Sequence, residues 1–177
     1  MHPIVRAAVE ADLSPGDRVA LHAAAARHLA DEGASSDRIA AHLLATDPAS
    51  DDWVVDSLRA AARSAVATGA PDSAVAYLRR ALAEPPCEPL RPDVLLELGF
   101  AESYAGDPQA AVHLEAALDA ATGVSTQVSI ALARGRMLQI DGRNHEALEV
   151  FDRTRARIGG GDRRASLMLE GAALEHE

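Results

Sequence analysis

Apolar residues recur along most of this chain at intervals of three and four, the spacing that lines one face of an α-helix. Three segments, 69–86, 106–121 and 142–157, carry the pattern in related form. Each opens on glycine, passes through one or two polar or proline turn residues, and continues as an amphipathic run. The apolar positions are Ala74, Val75, Leu78 and Leu82 in the first, then Ala110, Ala111, Leu114 and Leu118, then Ala147, Val150, Phe151 and Ile158. The opening glycines Gly69, Gly106 and Gly142 lie 37 and 36 residues apart. A second ladder, Gly99, Gly135 and Gly171, keeps 36 residues at both steps and falls inside helical stretches. Glycine inside a helix costs about 1 kcal/mol against alanine. Three at one period therefore predict a packing reason, a neighbouring helix that comes too close for a Cβ. Repeats of this length are the mark of stacked helix pairs.

Read in order, the pattern predicts an apolar helix over 4–9. A second helix starts at Ser14-Pro15, with Ser14 as N-cap and Pro15 at the first helical position. It buries Val19, His22, Ala26 and Leu29 and ends at Gly33. A short helix over 37–45 follows, and the TDPAS segment breaks the pattern at 46–50, because a residue before proline is pushed out of the helical region. The expected division is a helical segment at 1–47 and a repeat array at 48–177. Hairpins are predicted at about 51–83, 92–121 and 126–158, the first capped by Ser50. A partial fourth at 162–177 leaves Leu167, Leu169 and Leu174 without a partner helix. The fold class is all-α, a right-handed array of helical hairpins.

Composition narrows the chemistry. The formal net charge is −10 and all 17 basic residues are arginine, so no lysine-bearing phosphate loop can be present. Aromatic residues are only 3% of the chain, too few to build a stacking platform for bases. An acidic chain without a basic stripe predicts no direct nucleic-acid contact. No apolar run suits a membrane span or signal peptide, and the single cysteine, Cys87, fits a reducing compartment. A cytoplasmic location is expected. The seven histidines show no metal-ligand spacing, so no metal site is expected. His22, on an apolar helix face, reads as a core residue that finds a hydrogen bond. No serine lies in a GxSxG context. Asp51-Asp52 read as helix-start carboxylates, and Gly159-Gly160-Gly161 as a flexible turn. Arg153, Arg155, Arg157, Arg163 and Arg164 are diluted by neighbouring acids and read as a solvated surface. No catalytic residue is assigned, and the chain is expected not to be an enzyme.

The repeat resembles the tetratricopeptide pattern. Gly99, Gly135 and Gly171 match the small residue of its first helix, and Ala74, Ala110 or Ala111, and Ala147 match the early small residue of its second; Ala81 matches the later one. The pattern's large aromatic positions in the first helices are absent, the spacing is longer than that family's, and Thr154 stands where alanine is usual. The first hairpin has Ala62 or Arg63 where the glycine would fall. Such repeats bind on the concave surface made by their first helices, where Glu102, Tyr104, Arg136 and Gln139 are the candidate ligand contacts.

Residues 2–33 (HPIVRAAVEADLSPGDRVALHAAAARHLADEG) and 38–86 are similar to the middle of large actinobacterial LuxR-type ATP-binding transcriptional regulators, relatives of the maltose regulator. The family joins an AAA-like nucleotide-binding module, a winged helix, a helical repeat sensor arm and a C-terminal helix-turn-helix. The resemblance implies that 1–47 corresponds to the end of the winged helix and a linker. It implies that His2 matches a histidine touching the bound nucleotide's phosphates, with ATP or ADP as cofactor of a full-length parent and none for this chain. The implied role is a sensor and coupling region, a fragment of the parent. Its repeats would bind a small-molecule inducer or a partner protein, and its exposed repeat ends could self-associate. The competing expectation is a free-standing tetratricopeptide-like interaction scaffold.

Overall fold

The computed structural model describes residues 13–84, 90–159 and 161–174. Every regular element among them is an α-helix. The helix predicted over 4–9 and the site residue His2 lie outside the described residues. The chain forms two compact units, residues 1–86 and 87–177.

In the first unit, α1 (Pro15–Asp31), α2 (Ser36–Leu43), α3 (Asp52–Ala67) and α4 (Pro71–Ala83) pack in succession, each on the next. The Ser14 hydroxyl accepts from the backbone N–H of Asp17 at 3.1 Å, the cap expected from sequence. On α1, Ala26 is buried, while Val19, His22 and Leu29 are only partly covered. The cap of α3 is Asp51, whose carboxylate accepts from Trp53 N–H at 3.0 Å. Ser50, the residue expected there, instead takes a left-handed backbone, φ 58°. Val54, Val55, Leu58, Ala61 and Ala65 on α3 and Ala74, Leu78 and Ala81 on α4 are buried. Ala81 takes the buried place expected of Leu82, which is half-covered.

The C-terminal turn of α4 also clamps the connector between α2 and α3. Glu84, 1% exposed, accepts from the N–H groups of Ala49 and Asp51 at 2.8 and 3.2 Å. Arg80 donates to Glu84 at 2.9 Å and to the Thr46 carbonyl at 3.1 Å. These charges satisfy backbone groups that a non-helical segment cannot pair with itself.

In the second unit, α5 (Arg91–Ala105) pairs with α6 (Ala110–Ala120), and α7 (Val124–Ile140) pairs with α8 (Asn144–Ile158). The helix α9 (Arg163–Leu174) packs against α7 and α8. Gly106 and Gly142 end the first helices with φ of 72° and 74°, left-handed values that glycine adopts without steric cost. The packing reason predicted for the glycine ladder holds at two of its three rungs. A Cβ on Gly99 would stand 2.6 Å from Leu114 Cγ, and one on Gly135 would stand 2.1 Å from Phe151 Cζ. A Cβ on Gly171 would meet nothing within 4 Å. Thr154, at a position where alanine is usual, is 1% exposed; its hydroxyl donates to the Val150 carbonyl at 2.8 Å, so no polar atom is stranded.

Candidate ligand groove at the hairpin turns

The four residues expected on a binding surface separate into two kinds. Glu102 is fully buried, and its carboxylate meets His113 Nδ1 at 2.6 Å. Gln139 is half-buried and donates from Nε2 to the Ala172 carbonyl at 3.1 Å, tying α7 to α9. Both hold helices together, Glu102 across its own hairpin and Gln139 from α7 to α9. Arg136 faces solvent. Tyr104 is 68% exposed and lines a groove of about 500 Å³.

That groove runs between the turn ending α5 and the turn ending α7. Tyr104, Met137 and Ile140 give it apolar walls, and Asp107, Asp141 and Arg143 give it a charged rim. Ile140 is 81% exposed, an apolar side chain offered to solvent in the last turn of its helix. Arg143 grips Glu146 through two hydrogen bonds of 2.7 and 2.6 Å. This bond holds the Glu146 carboxyl below its ordinary range and raises Arg143. The rim thus carries two carboxylates, Asp107 and Asp141, against one guanidinium already paired with Glu146, a charge balance suited to an apolar ligand or side chain that carries a cationic group. Asp107 Oδ1 also accepts from Gln109 N–H at 2.9 Å, which fixes the α5–α6 turn. Tyr104 is among the residues expected on a binding surface; Ile140, its counterpart 36 residues on and a wall of the same groove, is not.

The arginines read as a solvated surface are ties between helices in three of five cases. Arg153 on α8 donates to Glu115 on α6 at 2.9 Å. Arg155 joins Asp152 at 2.9 Å and Glu170 of α9 at 3.3 Å. Arg157 reaches the carbonyls of Leu118 and Asp119 at 3.2 and 3.1 Å. Arg134 also lies against Glu115; burial first, then the neighbouring Arg153 and Arg143 charges, lowers its guanidinium pKa.

His22 and His42, twenty residues apart, meet through their Nδ1 atoms at 3.0 Å. One ring must donate and the other accept, so His22 finds the hydrogen bond its apolar face called for. Among the described residues, no three histidine, cysteine or carboxylate side chains gather in metal-binding geometry, and no helix is long and apolar enough to cross a membrane. Protein-family models, characterised proteins and solved structures give no match to this chain.

Proposed function

We propose that the chain is a non-catalytic binding and coupling module built from tetratricopeptide-like hairpins in a right-handed superhelical array. In this reading it serves as the sensor arm of a LuxR-type ATP-binding transcriptional regulator. The observation that carries the repeat reading is the glycine seat. Gly99 and Gly135, one 36-residue period apart, each receive a bulky side chain from the second helix of their own hairpin. A seat reproduced at that period supports stacked repeats, whose surfaces bind rather than catalyse. The resemblance of residues 2–86 to the family's winged-helix end and sensor arm supports the particular regulator.

The ligand enters the groove walled by Tyr104, Met137 and Ile140, either as a small apolar inducer with a cationic group or as such a side chain of a partner protein. It shifts the regulator only as far as its affinity differs between the two states of the parent. A ligand screen read by amide chemical shifts tests the reading. Hits should perturb residues 103–108 and 137–143, and Tyr104→Ala should weaken them about tenfold, the loss of ~1.4 kcal/mol from one aromatic contact. Hits that map elsewhere and bind Tyr104→Ala unchanged would remove the groove. In the genome, a nucleotide-binding motif encoded upstream and a helix-turn-helix downstream would support the regulator; unrelated neighbours would favour a free-standing scaffold.

A further inference from the structure

Two imidazoles that no local pattern relates are brought together in the first unit. His22 lies on α1 and His42 on α2, and the turn between these helices sets their Nδ1 atoms 3.0 Å apart. The ring centres are 5.1 Å apart, near the largest separation that this nitrogen contact permits. The rings therefore meet edge to edge, along the direction of their nitrogen lone pairs. Both residues are half-buried. Ala26, one turn from His22, and Ile39, Ala40 and Leu43 beside His42 are buried, so helix packing fixes the two nitrogens while solvent still reaches them.

Two imidazole nitrogens that bind one zinc ion tetrahedrally stand roughly 3.3–3.4 Å apart. The pair is within about 0.4 Å of that spacing, and counter-rotation of the rings about their broad terminal torsions turns both nitrogens toward one point. The proton balance is favourable. In the hydrogen-bonded pair one ring carries its proton on Nδ1. Moving that proton to Nε2 through solvent frees the second Nδ1 lone pair and leaves the ring neutral, the form that binds borderline divalent metals. The ion thus replaces one hydrogen bond and has no charge to displace. Among the described residues no third histidine, cysteine or carboxylate completes a set of three, so water fills the remaining positions. The net charge of −10 favours approach of a dication.

We infer that His22 and His42 chelate one divalent transition-metal ion of the zinc class, which staples α1 to α2. The site lies in the first unit and stands apart from both the groove and the repeat reading. Two exposed i,i+4 pairs, His28 with Glu32 and His145 with Glu149, also set an imidazole beside a carboxylate. They serve as controls.

Zinc chloride titrated calorimetrically into the full chain, first stripped with a chelator, should fill one site per chain with Kd below about 100 μM. His22→Gln and His42→Gln should each weaken that site about tenfold or more, since each removes one of two protein ligands. A double variant, His28→Gln with His145→Gln, should bind as wild type does. In imidazole nitrogen NMR spectra of the wild type, zinc should shift His22 and His42 Nδ1 and leave the His28 and His145 rings in place. Those shifts decide the matter even if a glutamine variant fails to fold. Because the ion joins two helices, saturating zinc should also raise the urea midpoint read by Trp53 fluorescence. No saturable binding up to about 1 mM would overturn the inference and leave the pair a plain hydrogen bond between helices. Zinc that shifts only the His28 and His145 rings, or that both glutamine variants bind unchanged, would overturn it as well.

Discussion

Alanine at Gly135 sets two effects of known size against each other. In an open helix the substitution gains about 1 kcal/mol of helix propensity. At Gly135 the new Cβ would stand 2.1 and 2.2 Å from Cζ and Cε1 of Phe151, where carbon atoms normally approach no closer than about 3.5 Å. The ring must retreat by roughly 1.4 Å to reach that contact distance. Phe151 is 2% exposed and packed among Val128, Ala131, Leu138, Ala147 and Leu169, so the retreat displaces α8 rather than one flexible chain end. Overpacking of this kind costs about 1–3 kcal/mol, and a buried ring this close draws the upper figure. Subtracting the propensity gain leaves a net loss of about 2 kcal/mol, or roughly 8–16 °C in Tm for a unit of this size.

The same alanine placed at the other rungs supplies internal controls. At Gly99 the obstacle is Leu114 at 2.6 and 2.7 Å, a side chain that can change rotamer, so a loss nearer 1 kcal/mol is expected. At Gly171 there is no obstacle, and a gain of about 1 kcal/mol is expected. Urea titration followed by circular dichroism would rank the variants, with hydrogen exchange at the α7 and α8 amides locating the loss. Removing the ring by Phe151→Ala should turn the Gly135→Ala effect from destabilising to stabilising, the coupling that a double-mutant cycle reads. If Gly135→Ala melts at or above the wild-type temperature, the close-approach account of the ladder is wrong.

Two further outcomes concern the first unit. Burial pushes the Glu84 carboxyl up, but the N–H groups of Ala49 and Asp51 and the Arg80 guanidinium bring it below the usual range. A lowered folded pKa contributes stability that is present above the unfolded value of about 4.3 and lost as pH falls through the folded one. Glu84→Gln should therefore be less stable at neutral pH and lose less on acidification; Trp53 fluorescence in urea at several pH values would show parallel acid limbs if the clamp is inert. Arg27 stands 4.4 Å over the Trp53 ring and also pairs with Asp51. Arg27→Ala should alter Trp53 emission while costing only about 0.5–1 kcal/mol, since the arginine is exposed; an unchanged spectrum would refute the contact.

The helices were legible because their signals are local. Ser14-Pro15 marks a cap and first turn, the left-handed Gly106 and Gly142 mark ends, and apolar spacing marks the faces between. The cap at Asp51 was less legible, because Ser50 and Asp51 are both good caps and the choice depends on the backbone turn entering α3. That turn is held by Glu84, 33 residues away from Asp51, which no local pattern encodes. The division at residue 86 is similarly non-local: α1 and α2 pack in series with the first hairpin, although TDPAS carries stronger breaking signals than many linkers.

The candidate groove contained a signal that a residue-by-residue reading overlooks. Glu102 and Gln139 look like surface residues because they are polar, yet Glu102 shares its repeat position with Leu138, an apolar residue on a predicted helix face. Comparing those two positions places Glu102 in the core and demands a hydrogen-bonding partner, which His113 supplies at 2.6 Å. The same comparison relates Tyr104 to Ile140, two large side chains in the final turn before a left-handed glycine. Core packing does not account for them, since both are mostly exposed. A repeat places equivalent side chains at equivalent points, so two such residues wall one groove. Polarity asked of one residue at a time selects helix ties, whereas polarity compared across a period separates those ties from the surface left for a ligand.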